Sequence, residues 1–544
     1  MSTAYADGGS GWRTAGTMVG IVWRTRRRGI LVRVAALAAG LIGTAAAVAG
    51  LYDTPAKIRG YAEAVTSGSA LAAINGRVEG IDSLGGVIQD EFGFLAAFLL
   101  PLLGIGLVAG STRREEESGR LETVLAGRIR RYQPALAALT VATAAILGTS
   151  VLFAAGLAVT GVGMSGAILY SAALGALAFV FAGFAALCAQ FVRHTRAVYT
   201  ATLIVLAVAY VLRGVGDTAG DTAGNATGAW LTWLSPLGWA EKTAPFGDQR
   251  WWVLALPAVV GLACGGAAVW LAARRDVGSA LLRGRAGPAR AGRSRRGALG
   301  FAARLHLPAA AGWLAGGLLL AGMMGALARQ FLDAMAGNPA LAEVMGIDGG
   351  RPLAGFVAST QLYLAIIGAG YVVQAVGALR GEETEGRLET RLAGTLSRPR
   401  WLAAHAVAVA AGLVLIVAGS STVLALSTTW SVGNADEFGA TIAAGLAYLP
   451  AELVFAGLAL ALFGLWPRAL ALGWVGYAGT TFIALLGPGL NLAQWALDLA
   501  PTTHVGSPPL GTVDPLGLAT LAGVAGALTL TGFVAFRRRD VPRT

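Results

Sequence analysis

Arg113 to Gly127 read RREEESGRLETVLAG, and Arg380 to Gly394, 267 positions later, read RGEETEGRLETRLAG. Eleven of the fifteen positions are identical. Fainter echoes keep nearly the same spacing. Ala70-Leu71-Ala72 matches Ala340-Leu341-Ala342, and Arg274-Arg275-Asp276-Val277 matches Arg538-Arg539-Asp540-Val541. Trp230 followed by Ser235-Pro236 matches Trp495 followed by Ala500-Pro501. A repeat of this period means one structural unit duplicated and fused.

The segments between these marks are continuous apolar runs. The chain is 56% hydrophobic and 13% charged, with mean hydropathy +0.65, whereas a soluble domain carries about 25% charged residues. A bilayer core about 30 Å thick takes about 20 helical residues to cross, and unbroken runs without strand alternation leave helices as the spanning form. The expected spans are 32–52, 92–111, 134–160, 167–191, 197–215 and 251–273, then 310–331, 355–378, 401–426, 438–466, 469–490 and 515–536. The fold expected is therefore all-α and polytopic: about twelve helices in two parallel six-helix repeats, since an even number keeps both copies in one orientation.

Net charge is +12, but the arginines cluster between spans, where they act as topology signals rather than a nucleic-acid surface. Arg24 to Arg28 precede the first run, Arg113 to Arg131 follow the second, and Arg193 and Arg196 follow the fourth. Arg274 to Arg304, Arg380 to Arg400, Arg468 and Arg537 to Arg543 fall on the same side. That side is expected to be the cytoplasm, with both termini there and the first run retained as a helix. Loops 53–91, 216–250, 332–354 and 491–514 face outward; the first holds Asp90 and Glu91. The resulting divisions are 1–31, a cytoplasmic N-terminus with an amphipathic helix; 32–273, the first half; 274–309, a basic linker with a second such helix; 310–536, the second half; and 537–544, a cytoplasmic tail.

The duplicated segment lies between the second and third spans of each half. Leu121, Leu125 and Ile129, and Leu388, Leu392 and Leu396, recur at helical spacing. Thr112 and Glu115 have the spacing of a capping box. Each copy reads as a short amphipathic helix at the membrane surface, preserved where the spans have drifted, which points to docking.

A glutamate-rich approach followed by Gly-x-x-Glu-x-x-Leu resembles the coupling helix of ABC transporter permeases of the type 2 exporter class. The fused twelve-helix form, with LSPLGW at Leu234 to Trp239 and the RRDV ends, is similar to bacterial exporters of polyketide antibiotics and other drugs. The resemblance implies a bacterial cytoplasmic-membrane permease served by two copies of a separate ATPase subunit, which bind the ATP and Mg, so that this chain carries no cofactor. It implies that Glu115, Glu116, Gly119, Glu122 and Leu125 dock one ATPase, and Glu382, Glu383, Gly386, Glu389 and Leu392 the other. It also implies an elbow helix around Trp12, Val19, Val22 and Trp23, and re-entrant outer gates with Trp233, Pro236 and Trp239 in one half and Trp495 and Pro501 in the other.

The residues themselves exclude an autonomous pump. A phosphate-binding loop needs Gly-Lys, and the two lysines, Lys57 and Lys242, follow Ala56 and Glu241. Metal-ligand spacing and nucleophile motifs are absent, and Cys188 and Cys264 read as packing residues. The expected partners are the ATPase, membrane lipid and a hydrophobic or amphipathic small molecule, without nucleic acid. Glu452 is a carboxylate deep in an apolar run, either facing a drug cavity or serving as a structural hydrogen bonder; Gln361, Tyr363 and Gln374 are further pathway candidates. The alternative is a proton-coupled carrier of the major facilitator type, against which stand the long acidic loop and the missing carboxylate relay. A membrane transferase acting on lipid-linked sugars would need paired acids for a metal; Asp90 and Glu91 have no repeat partner.

Overall fold

The computed structural model describes residues 8–66, 75–127, 129–219, 226–282, 292, 297–337, 351–487 and 492–540. The echo of Ala70–Ala72 in Ala340–Ala342 lies outside them, as do residues 283–291 and 293–296 of the linker. Every regular element among the described residues is helical. The chain divides into two compact units, Met1–Ala286 and Gly287–Thr544, matching the fused repeat.

The first unit holds α1 (Gly8–Leu51), α2 (Leu84–Ser111), α3 (Gln133–Val159), α4 (Met164–Phe191), α5 (Thr195–Ala219) and α6 (Ala255–Arg274). The second holds α7 (Ala298–Gly337), α8 (Pro352–Thr384), α9 (Arg398–Val432), α10 (Leu449–Leu465), α11 (Leu472–Leu486) and α12 (Pro515–Arg538). Among the described residues eleven spans are long and apolar enough to cross a bilayer, so this is an all-α multi-pass membrane protein. The tenth begins with a separate helix, Phe438–Ala447, and turns at Tyr448, just before the N–H that Pro450 lacks.

Three expectations need correction. The run expected over 469–490 forms only the 15-residue α11, about 22 Å at 1.5 Å per residue, because Gly487 and Pro488 follow it. The elbow expected before the first span is not separate. Lacking any proline, α1 continues unbroken through Arg24–Arg28 for 44 residues, its isolated glycines each costing only about 1 kcal/mol. Met18 and Val22 face inward on this extension, and Gln133 Nε2 donates to Thr14 Oγ1 at 2.8 Å. Third, Asp90 and Glu91 are not in a loop. Ser83 caps α2 by accepting from the Gly86 N–H at 3.0 Å, so both acids lie on its second turn. There the Tyr61 hydroxyl donates to Asp90 at 2.6 Å.

Glycine lets the fourth and sixth helices of each unit touch backbone to backbone. A Cβ at Gly183 in α4 would stand 2.8 Å from the Gly261 carbonyl oxygen in α6. One at Gly457 in α10 would stand 2.8 Å from the Ala525 oxygen in α12. Small residues are how membrane helices gain van der Waals contact without a hydrophobic driving force between them. In the second unit the core at the arginine-rich end gathers Trp401, Phe463 and Phe536, and Leu388 of the duplicated segment is part of it.

Candidate docking and gating sites

The duplicated sequence folds twice into the same device. After α2, Arg113–Glu117 makes a short helix, Gly119 turns the chain at φ +71°, and Arg120–Leu125 makes a second. In the other unit α8 runs on through Thr384, Gly386 turns at φ +70°, and Arg387–Leu392 follows. A left-handed φ is where glycine has no steric cost. Leu121 and Leu388 are the buried side chains of these two six-residue helices, each worth roughly 1.5–3 kcal/mol. The capping box does not form: the Thr112 hydroxyl donates back to the Val108 carbonyl at 2.7 Å.

Glu115 instead pairs with Arg26 of α1 and with Arg120 Nε at 2.8 Å. Its repeat mate Glu382 pairs with Arg387 Nε, also at 2.8 Å. Glu116 takes Arg275 Nη2 at 2.6 Å, Arg275 Nη1 at 3.1 Å and Arg113 Nη1 at 2.7 Å. Its mate Glu383 takes Arg539 Nη1 at 2.6 Å and Nη2 at 3.0 Å. Arg113 reaches the Ala189 carbonyl near the end of α4. Arg380 likewise reaches the Pro467 carbonyl just past α10.

The ten residues expected to dock therefore separate into two sets. Glu116, Glu382 and Glu383 are buried and spent on pairs within the chain, with side chains 8%, 3% and 6% exposed. Glu115 is mostly enclosed. Glu122 and Glu389 are exposed on the two six-residue helices, with Leu125 and Leu392 half-buried beside them and Gly119 and Gly386 at the turns. A cleft of about 630 Å³ opens next to the helix Arg120–Leu125, lined by Glu122, Leu125, Ile129, Tyr132 and Ala273. Arg113, Arg275 and Arg539 carry the buried pairs and Arg380 a bond to the Pro467 carbonyl, although by sequence they read only as topology signals. The RRDV echo was the clue to two of them.

The expected pathway residues do not converge. Gln361 is buried, its amide donating to the Thr441 carbonyl at 2.7 Å and its oxygen accepting from Ser421 Oγ at 3.2 Å. The Gln374 oxygen accepts from the Trp313 indole. Tyr363 is exposed. Glu452 is fully buried and neither carboxyl oxygen has a hydrogen-bond partner. It points at Gly368 of α8, where a Cβ would stand 2.3 Å from Glu452 Oε1. Glu452 thus sits inside the packing of the second unit, neither lining an open cavity nor serving as a hydrogen bonder.

Both units place short helices between the fifth and sixth spans. In the first, the 3-10 helix Ala226–Leu234 meets Pro236–Lys242 at Ser235, whose hydroxyl donates to the Ala209 carbonyl at 2.6 Å. Trp239 Nε1 donates to the Trp233 carbonyl at 2.6 Å, and Trp233 stacks on Trp252 with centroids 6.0 Å apart. Pro236 is buried at the first helical position. Gly238 allows the close crossing, since a Cβ there would lie 2.1 Å from the Thr232 oxygen. Beneath lies a buried charge cluster: Arg213 Nη1 is 3.6 Å from Asp217 and 3.8 Å from Glu241. Burial, reinforced by the Asp217 charge, pushes the Glu241 carboxyl up to about 8. In the second unit Gln494–Leu497 and Pro501–Val505 form the counterpart. Trp495 stands exposed there, and His504 Nε2 is 2.8 Å from the Asp498 carbonyl oxygen. The two units thus share this element despite little sequence likeness, but at the 265-residue offset that matches Trp230 with Trp495, Asp217 and Glu241 correspond to Phe482 and Gly506.

Two multi-pass helical units, each with a short helix after its second span and short helices before its sixth, suit a transport permease. The family described as the C-terminal domain of the multidrug efflux system permease Rv1217c matches residues 296–537. The multidrug efflux system permease protein Rv1217c of Mycobacterium tuberculosis is 32% identical over 483 residues, 88% of this chain and 86% of that protein. The chain belongs to this family of multidrug efflux permeases and is a transporter's permease subunit.

Proposed function

We propose that the chain is the membrane permease of an ATP-driven exporter of the ABC class, lying in the bacterial cytoplasmic membrane with both termini inside. Two copies of a separate ATPase subunit, which bind ATP and Mg, dock on its two coupling helices. The observation that carries this is the duplicated device. Two helices of six residues each, built alike, expose Glu122 and Glu389 where a partner can reach them, while the neighbouring glutamates are paired inward. Docking then rests on Glu122 and Leu125 in one unit and Glu389 and Leu392 in the other, with Gly119 and Gly386 setting the angle. The short helices with Trp233, Pro236 and Trp239, and with Trp495 and Pro501, serve as the outer gates. Cargo is hydrophobic or amphipathic, in keeping with an apolar bundle almost free of charged groups in its spans.

The test is co-purification with ABC ATPase subunits co-expressed from the same organism, with ATP turnover measured in lipid. A stable complex whose turnover depends on the permease is expected. Lack of any association, with efflux driven by a proton gradient alone, would sink the reading in favour of a proton-coupled carrier.

A further inference from the structure

The two best-matched features of the halves are joined in space. Glu116 belongs to the duplicated segment and Arg275 to the RRDV echo; Glu383 and Arg539 are their repeat mates. In each unit a glutamate three residues before the glycine turn, Glu116 in the short helix Arg113–Glu117 and Glu383 in the last turn of α8, grips the arginine that closes the sixth span. Arg275 is the C-terminal cap of α6 and Arg539 that of α12, so each pair seizes its helix at the end of its last turn. The surroundings brace the grip. Arg275 Nε donates to Gln190 Oε1 at 3.1 Å, and Arg113 holds both Glu116 and the Ser279 carbonyl. The Arg539 guanidinium lies 5.5 Å and 5.7 Å from the Phe463 and Phe536 ring centroids, beside the core that swallows Leu388.

Buried ion pairs are poor stabilisers, because desolvation cancels much of their attraction, but they fix register. A register device present in both halves, between the segment that leads into each coupling helix and the end of the sixth span, suits the transfer of displacement. We infer that Glu116–Arg275 and Glu383–Arg539 are struts that make each coupling helix and the sixth span of its half move as one body. This rests on the ATPase-docking reading. Arg275 and Arg539 are positioning residues that touch neither cargo nor nucleotide.

The test uses the full chain in nanodiscs with the ABC ATPase subunit and Cys188→Ala and Cys264→Ala substitutions. Spin labels sit at Thr123→Cys on the coupling helix and Ala273→Cys near the end of α6, both exposed. Distances are compared with ADP and with ATP plus vanadate. The strut keeps one narrow distribution in both nucleotide states. Glu116→Gln broadens or shifts it by several ångströms with ATP plus vanadate, and Glu116→Arg with Arg275→Glu restores it. A Glu116→Gln distribution identical to wild type overturns the strut, as does a wild-type distance that changes with nucleotide. A charge swap that leaves the Glu116→Gln behaviour uncorrected assigns the effect to local unfolding and overturns it too. If the unsubstituted chain does not bind the ATPase at all, the docking reading falls and takes the strut with it.

Discussion

Glu383 and Arg539 stand 156 residues apart in sequence and meet in a two-pronged pair at 2.6 Å and 3.0 Å. The same pairing recurs between Glu116 and Arg275. Arginine suits the role because its planar fork matches a carboxylate on two bonds at once. The pair also explains why the glutamate-rich approach is preserved between halves whose spans have diverged. A partner's surface constrains exposed residues, whereas an internal partner constrains these.

Cutting the second pair on one side leaves a charge stranded in the interior. Arg539→Ala is expected to cost about 3 kcal/mol, the lower end of the range for broken buried pairs, since Arg539 keeps 18% of its side-chain surface. Glu383→Leu combined with Arg539→Met removes both charges and is expected to recover most of the loss. Thermal unfolding in detergent measures both. Equal losses for the single and paired substitutions would mean that packing, not charge, holds this corner.

The exposed glutamates behave in the opposite way. Glu122→Ala with Glu389→Ala is expected to leave Tm essentially unchanged, as surface substitutions stay within roughly 0.5 kcal/mol. Affinity for the ATPase subunit is expected to fall about tenfold, near 1.4 kcal/mol. Titration of the ATPase onto nanodisc-held permease reads this directly. Unaltered affinity would shift docking to the cleft beside Tyr132.

The bundle was legible because each span is a long apolar run, and the duplication because eleven identities survive in fifteen residues. The failures were local. Apolar composition in 469–490 says nothing about where Gly487 and Pro488 stop the helix. Hydropathy began the second span at Phe92 because Asp90 and Glu91 are acids, yet the cap at Ser83 and the Tyr61 hydroxyl bring them into the helix. Side-chain partners were out of reach altogether. Glu116 and Glu122 look alike in sequence, and only the fold shows that one meets an arginine 159 residues away while the other meets solvent.

Glu452 opposes Gly368 so closely that each limits the other. A buried carboxyl without a hydrogen-bond partner is a cost, so Glu452→Met is expected to hold or raise Tm. Gly368→Ala alone drives a methyl into Glu452 and is expected to cost about 1–3 kcal/mol. With Glu452→Ala, Gly368→Ala becomes nearly neutral, a non-additivity that residues in contact should show. Thermal melts of the four proteins decide it. Additive losses would mean the two side chains do not share one space.

Glu241 gives the outer hairpin of the first unit a pH dependence of defined sign. Its ordinary value is 4.5, and in the fold it is pushed up to about 8 by burial first and by Asp217 second. Between those values the folded chain keeps a proton that the unfolded chain has released, so stability falls as pH rises. The contribution is complete below about 4.5 and lost above about 8. Arg213, Lys242 and the Arg77 backbone N–H oppose the rise, and Asp217 adds to it. Glu241→Gln keeps the shape of the neutral acid without the titration. Tm in nanodiscs from pH 5 to 9 is expected to decline in the unsubstituted chain and to flatten in Glu241→Gln, which becomes the more stable of the two near pH 8.5. Hydrogen exchange over 226–242 places the loosening at the hairpin. A flat curve for the unsubstituted chain would mean that Arg213 holds Glu241 ionised throughout, and that the cluster is a fixed salt bridge.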